Sequence, residues 1–134
     1  MDKINTLIFV ESRYKANRKR IKSIVENTLK KQEITSPVEV SIAIVGDRKM
    51  RELSLRYKNE DKTRNVLSFS QTEGEHSGIT GKVHDASLLM LGDIVISFPE
   101  VIREASADEM LVDDKIDELV EHGLMHLLGA EPEH

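Results

Sequence analysis

Apolar and polar residues alternate along VEVSIAIV at 38–45, and this period of two in a stretch rich in β-branched side chains predicts a strand. INTLIFV at 4–10 predicts another. Between them, YKANRKRIKSIVENTLKKQ at 14–32 repeats its apolar residues at helical spacing, with Ile21, Ile24, Val25 and Leu29 forming one stripe. After Ser36 and Pro37 break the chain and the second strand ends, Asp47 is placed to cap a short helix through Met50, Leu53 and Tyr57. NVLSFS and LLMLGDIVISF are the next strand candidates, separated by QTEGEHSGITGKVHDAS, which reads as a long loop. Ser97, Phe98, Pro99 and Glu100 have the form of a capping box with proline in the first turn, so a helix should begin there. The last helix, about 113–128, carries Ile116, Leu119, Val120, Leu124 and Leu127 on its apolar side, and His122 and His126 on a different face. The expected class is α+β: a small mixed β-sheet packed with helices in the order β-α-β-α-β-β-α-α. The length predicts a single domain, 1–134.

Composition narrows the chemistry. Cysteine is absent, which excludes disulfides, thiolate zinc sites and thiol nucleophiles. The first apolar run is too short for a signal peptide, and no stretch approaches the roughly 20 apolar residues of a membrane helix, so a cytoplasmic protein without a membrane partner is expected. The net charge of −5 argues against a nucleic-acid partner, but it is unevenly spread. Residues 1–64 hold 16 Lys and Arg against 9 Asp and Glu, whereas 100–134 hold 2 against 11. A basic front is joined to an acidic back. A solvated helix face explains part of the run RYKANRKRIK; a phosphate-attracting surface is the functional alternative.

The end of the chain, EHGLMHLLGAEPEH, contains three of the five histidines. Residues i and i+4 share a helix face, so His122 and His126 can present both imidazoles to one point. A catalytic zinc site takes three protein ligands and leaves a position for water, and His134, past Gly129, is the natural third. Glu131 and Glu133 are alternative oxygen donors. Surface or core histidines that fall at helical spacing would give the same pattern. His76 and His84, in the long loop, could approach the metal but are more simply read as solvated. A metallopeptidase would read HExxH, with the glutamate as general base. Here Gly123 follows the first histidine, and Glu121 points about 100° away around the helix, so the peptidase base is missing. Gly123 reads either as a helix glycine or as a point of close approach, and Asp93, beside Gly92, as a structural strand or bulge residue.

HGLMHLLG at 122–129 closely resembles the HGxLHLxG signature of the YbeY family, bacterial rRNA maturation factors described as metal-dependent endoribonucleases. NVLSF at 65–69, LGDIVIS at 91–97 and the tyrosine-containing basic helix end ELSLRYKNEDK fit the same family. The resemblance covers about 38–129. It implies a zincin-like α+β fold and one zinc ion held by His122, His126 and His134. Its further implications are single-stranded RNA as substrate, with no DNA expected, and partnership with ribosomal RNA and the small ribosomal subunit in rRNA maturation and ribosome quality control. Lys58 and Arg64 are the phosphate-contacting candidates, Lys58 also at the catalytic centre. The chain departs from the family in three places. The family's third histidine falls ten residues after the first, where this chain has Pro132. Lys58 replaces arginine, which removes a bidentate fork. Thr63 and Arg64 stand in place of Pro-Thr. Three readings result: a zinc endoribonuclease, a ribosome-assembly factor of the same fold that binds without cleaving, and, least supported, a metallopeptidase.

Overall fold

The computed structural model describes residues 4–70 and 88–129. Two β-branched runs, β1 (Ile4–Val10) and β2 (Val38–Val45), lie side by side and parallel, as a helical crossover requires. The crossover is α1 (Arg18–Lys31), whose Ile21, Val25 and Leu29 are buried. The helix α2 (Asp47–Lys58) follows β2, then come β3 (Val66–Ser70) and β4 (Leu89–Ser97). The chain closes with α3 (Phe98–Ala107) and α4 (Val112–Leu127). β4 pairs parallel with β2 and antiparallel with β3, giving a mixed four-stranded sheet in the order β1-β2-β4-β3. Among the described residues β3 is therefore an edge strand. The class and element order agree with the sequence pattern; the segment 71–87, expected as a loop, lies outside the described residues.

The alternation in the central strands sorts side chains onto two faces. Ile42 and Ile44 of β2, with Ile94 and Ile96 of β4, join α1 and the Ile116, Leu119, Val120 and Leu124 stripe of α4 in the main core. Val45, Leu67 and Val95 point the other way and form a smaller core with Met50 of α2. At about 25 cal/mol per Å² of apolar surface buried, these two layers supply the main drive for folding. In β4 the ladder slips: Glu39 pairs with Met90 but Val40 with Gly92, leaving Leu91 as a bulge. Gly92 has φ +136°, and a Cβ there would lie 2.1 Å from the carbonyl oxygen of Phe69, so only glycine serves.

Three local expectations are corrected. The first helix begins at Arg18 rather than at 14, because the Asn17 side chain accepts from the Arg20 N–H at 3.0 Å and caps it there. Gly46, not Asp47, is the N-cap of α2. Asp47 sits in the first turn, and its carboxylate instead accepts from Thr63 Oγ1 at 3.2 Å, Ser97 Oγ at 3.0 Å and Arg103 at 3.4 Å, tying α2 to the approach of β3 and to α3. The box at α3 is half formed. Ser97 Oγ accepts from the Glu100 N–H at 3.3 Å, but the Ser97 N–H donates to the Asn65 carbonyl at 3.0 Å, and the Glu100 carboxylate pairs with Arg103.

Candidate active site

The site is built on α4. Its buried stripe lies on the sheet, and Gly123 is the point of closest approach: a Cβ there would meet Ile94 Cγ2 at 2.9 Å and Cδ1 at 3.1 Å. Ile94 pairs with Ser68, and Gly92 with Ser70. The helix packs against both β3 and β4. His122 precedes Gly123 and His126 lies one turn after His122, so both belong to the part of α4 that rests near Ile94, whose partner in β3 is Ser68. His122 is exposed and His126 half-buried. Lys115, seven residues before His122 and thus nearly in line with it, marks the same flank as the one turned to α3. Its Nζ is 2.8 Å from Asp108, 3.3 Å from Glu118 and 3.9 Å from Glu104.

Glu121 takes the opposite flank. It lines a cavity of about 490 Å³ with Ile24, Asn27, Thr28, Lys30 and Lys31 of α1. Further along that flank Arg20 donates to Asp117 at 2.8 Å and to Asp114 at 2.5 Å, and these bonds, that to Asp117 foremost, hold its pKa above the usual arginine value. A carboxylate so placed cannot act as base for a centre at His122 and His126.

Two imidazoles at i and i+4 on one helix are a donor set that suits zinc. They fit as two of its ligands. Among the described residues no group of three or more His, Asp and Glu converges. His134, expected as third ligand, lies outside the described residues, as do Glu131, Glu133, His76 and His84. The left-handed Gly129, φ +70°, ends α4 after His126 and turns the chain out of the helix direction.

Lys58 lies beside β3 on the other face of the sheet, and Arg64 precedes that strand by two residues. Lys58 ends α2, is exposed, and holds its Nζ 6.0 Å from the centre of the Phe69 ring. Arg64 donates to Glu60 through Nε at 3.1 Å and Nη2 at 2.9 Å, so its fork is already occupied. Of the two, Lys58 is the one without a carboxylate partner among the described residues. Asp93 accepts from Ser41 Oγ on the neighbouring strand, in keeping with a structural role. Pattern reading along the chain missed the Tyr57–Phe69 pair, whose ring centres are 4.8 Å apart; the signal was an aromatic residue directly before Lys58 at a helix end.

A sequence profile described as Endoribonuclease YbeY matches residues 6–133. A protein of Syntrophus aciditrophicus named Endoribonuclease YbeY is 38% identical over 96 residues, which span 72% of this chain and 56% of that protein. One of the same name from Desulforamulus reducens is 34% identical over 84% of this chain and 71% of its own length. The solution structure of a Thermotoga maritima protein superposes with a TM-score of 0.58 over 97% of this chain and 75% of the other, at 21% identity, a likeness of fold. With a profile match from the first strand past the end of α4, the chain belongs to the YbeY family.

Proposed function

We propose that the chain is a zinc-dependent endoribonuclease that cuts single-stranded RNA, acting in the cytoplasm on small-subunit ribosomal RNA during maturation and quality control. The observation behind the reading is the seating of Gly123 on Ile94, which brings the HGLMH segment of α4 against β4 close to its pairing with β3. His122 and His126 hold the metal from one helix face, and His134 completes the set. Zinc bound there would supply a Lewis acid and a water ionising near pH 7. The chain's own residues do the rest: Lys58 steadies a phosphate from across β3, and the absence of a carboxylate at position 123 removes the proton acceptor a peptidase needs. One observation favours binding without cleavage as the second reading: Arg64 is held by Glu60, which leaves a single lysine where the family resemblance calls for arginine.

The test is zinc content measured beside hydrolysis of a single-stranded RNA and of casein. The unaltered chain should carry about one zinc and cut RNA, while the His122→Ala, His126→Ala double variant should do neither. Metal without RNA cleavage selects the assembly-factor reading; casein cleavage selects the peptidase; equal metal in both proteins contradicts the site.

A further inference from the structure

The chain has few aromatic residues, 3 Phe and 2 Tyr with no Trp, and it places two of them together at the β3 edge. Tyr57, in the last turn of α2, meets Phe69 of β3 with ring centres 4.8 Å apart and planes tilted by 56°. Phe69 is anchored against the smaller core, whereas Tyr57 remains 54% exposed. Cations flank the pair. The Arg56 guanidinium carbon is 5.8 Å from the centre of the Tyr57 ring and the Lys58 Nζ is 6.0 Å from that of Phe69. Neither cation has a carboxylate partner among the described residues. Exposure alone does not single out Tyr57, since Phe9 on the opposite edge strand is 58% exposed, but no cation stands over the Phe9 ring among the described residues.

Position supplies the second argument. Phe69 is the neighbour of Ser68, which pairs with Ile94, the residue on which Gly123, next to His122, rests across the sheet. The two helices that carry these residues pack on opposite faces of the sheet. An RNA strand passing around the edge of β3 would meet both.

We infer that Tyr57, braced by Phe69, is a stacking platform for one unpaired base of single-stranded RNA, with Arg56 and Lys58 taking the flanking phosphates. The inference rests on the endoribonuclease reading and adds the subsite that selects single strands. A base in a duplex has both faces covered by its neighbours, while a free base offers a π-face to an aromatic ring and its backbone to the cations. Arg56 is exposed on the adjoining residue, so a base entering over Tyr57 displaces the guanidinium toward a phosphate.

The experiment measures equilibrium binding of a short single-stranded oligoribonucleotide carrying one 2-aminopurine, in chelator so that no cleavage intervenes. Fluorescence quenching reports stacking and the titration gives the affinity. Tyr57→Ala should weaken binding about 5- to 150-fold, the range for losing one stacked base, and abolish the quenching at one position of the label. Tyr57→Phe should bind within about twofold of the unaltered chain, because it keeps the ring. The Tyr57→Phe unfolding curve should coincide with that of the parent, and Tyr57→Ala, which gives up the ring contact with Phe69, is compared where its own unfolding curve shows it fully folded. Unchanged affinity in Tyr57→Ala overturns the platform while leaving the nuclease reading intact. Equal losses in Tyr57→Phe and Tyr57→Ala also overturn it, by making the hydroxyl the contact. No RNA binding by the unaltered chain overturns both readings.

Discussion

Gly123 illustrates how one missing side chain positions the histidines on either side of it. Replacing glycine by alanine inside a helix ordinarily gains up to about 1 kcal/mol. Here the new methyl would press on Ile94 at 2.9–3.1 Å, and Ile94 is a fully buried, β-branched residue of a central strand with no room to turn away. Overpacking of this kind costs about 1–3 kcal/mol, so with the helix gain subtracted Gly123→Ala should be net destabilising by up to about 2 kcal/mol in urea unfolding. In an Ile94→Ala background the same change should become neutral or stabilising, a coupling that a double-mutant cycle measures. Additive effects would mean that the helix does not rest on Ile94. Lys115 is the second residue with a large predicted effect. Only 4% exposed, it is held charged by its hydrogen bond to Asp108, with Glu118 adding to the effect and burial opposing it, so its pKa lies above the ordinary 10.5. A raised pKa gives stability that is present in full below 10.5 and is lost as pH climbs through the folded-state value. Lys115→Met should therefore unfold at lower denaturant than the parent at pH 7, and the gap should close above about pH 10.5. A gap independent of pH would contradict the charge-based account.

Elements with a local cause were legible before any coordinates. β2 occupies the residues its alternation marked out, because a strand whose alternate side chains are buried writes its period directly into the chain. His122 and His126 were readable for the same reason, since both belong to one helix and need only its 3.6-residue repeat. Features that depend on residues distant in sequence were not. Asp47 looked like a helix cap, but its carboxylate is claimed by Thr63, Ser97 and Arg103, which only the folded sheet brings near. Arg20 looked like part of a basic surface, yet its guanidinium is committed to Asp114 and Asp117, more than ninety positions away. The expected third ligand is not set by the helix period, because α4 ends at Leu127 and His134 lies outside the described residues.

At the scale of the whole molecule the uneven charge has two uses. Part of the basic front is spent internally, where Arg20 clamps α1 to the acidic start of α4. Most of the remainder is exposed among the described residues, with Lys58 beside Phe69 of β3. Phosphate contacts release counterions, so the affinity for single-stranded RNA should fall with salt by a log–log slope of about −0.7 per contact, and Lys58→Ala should flatten that slope by about 0.7. Arg64→Ala should flatten it less, since its guanidinium is already paired with Glu60. Binding independent of salt would remove RNA phosphates from the account. The central claim is that α4 makes this chain a metal-dependent ribonuclease, and the most direct test is the cleavage rate of an end-labelled single-stranded RNA by metal-stripped protein with zinc added back. The account predicts no cleavage when stripped, recovery near one zinc per chain, and at least about a 100-fold loss in His126→Ala, beyond the usual effect of a residue that only supports a ligand. Cleavage that persists in the stripped protein, or full recovery in His126→Ala, would contradict it.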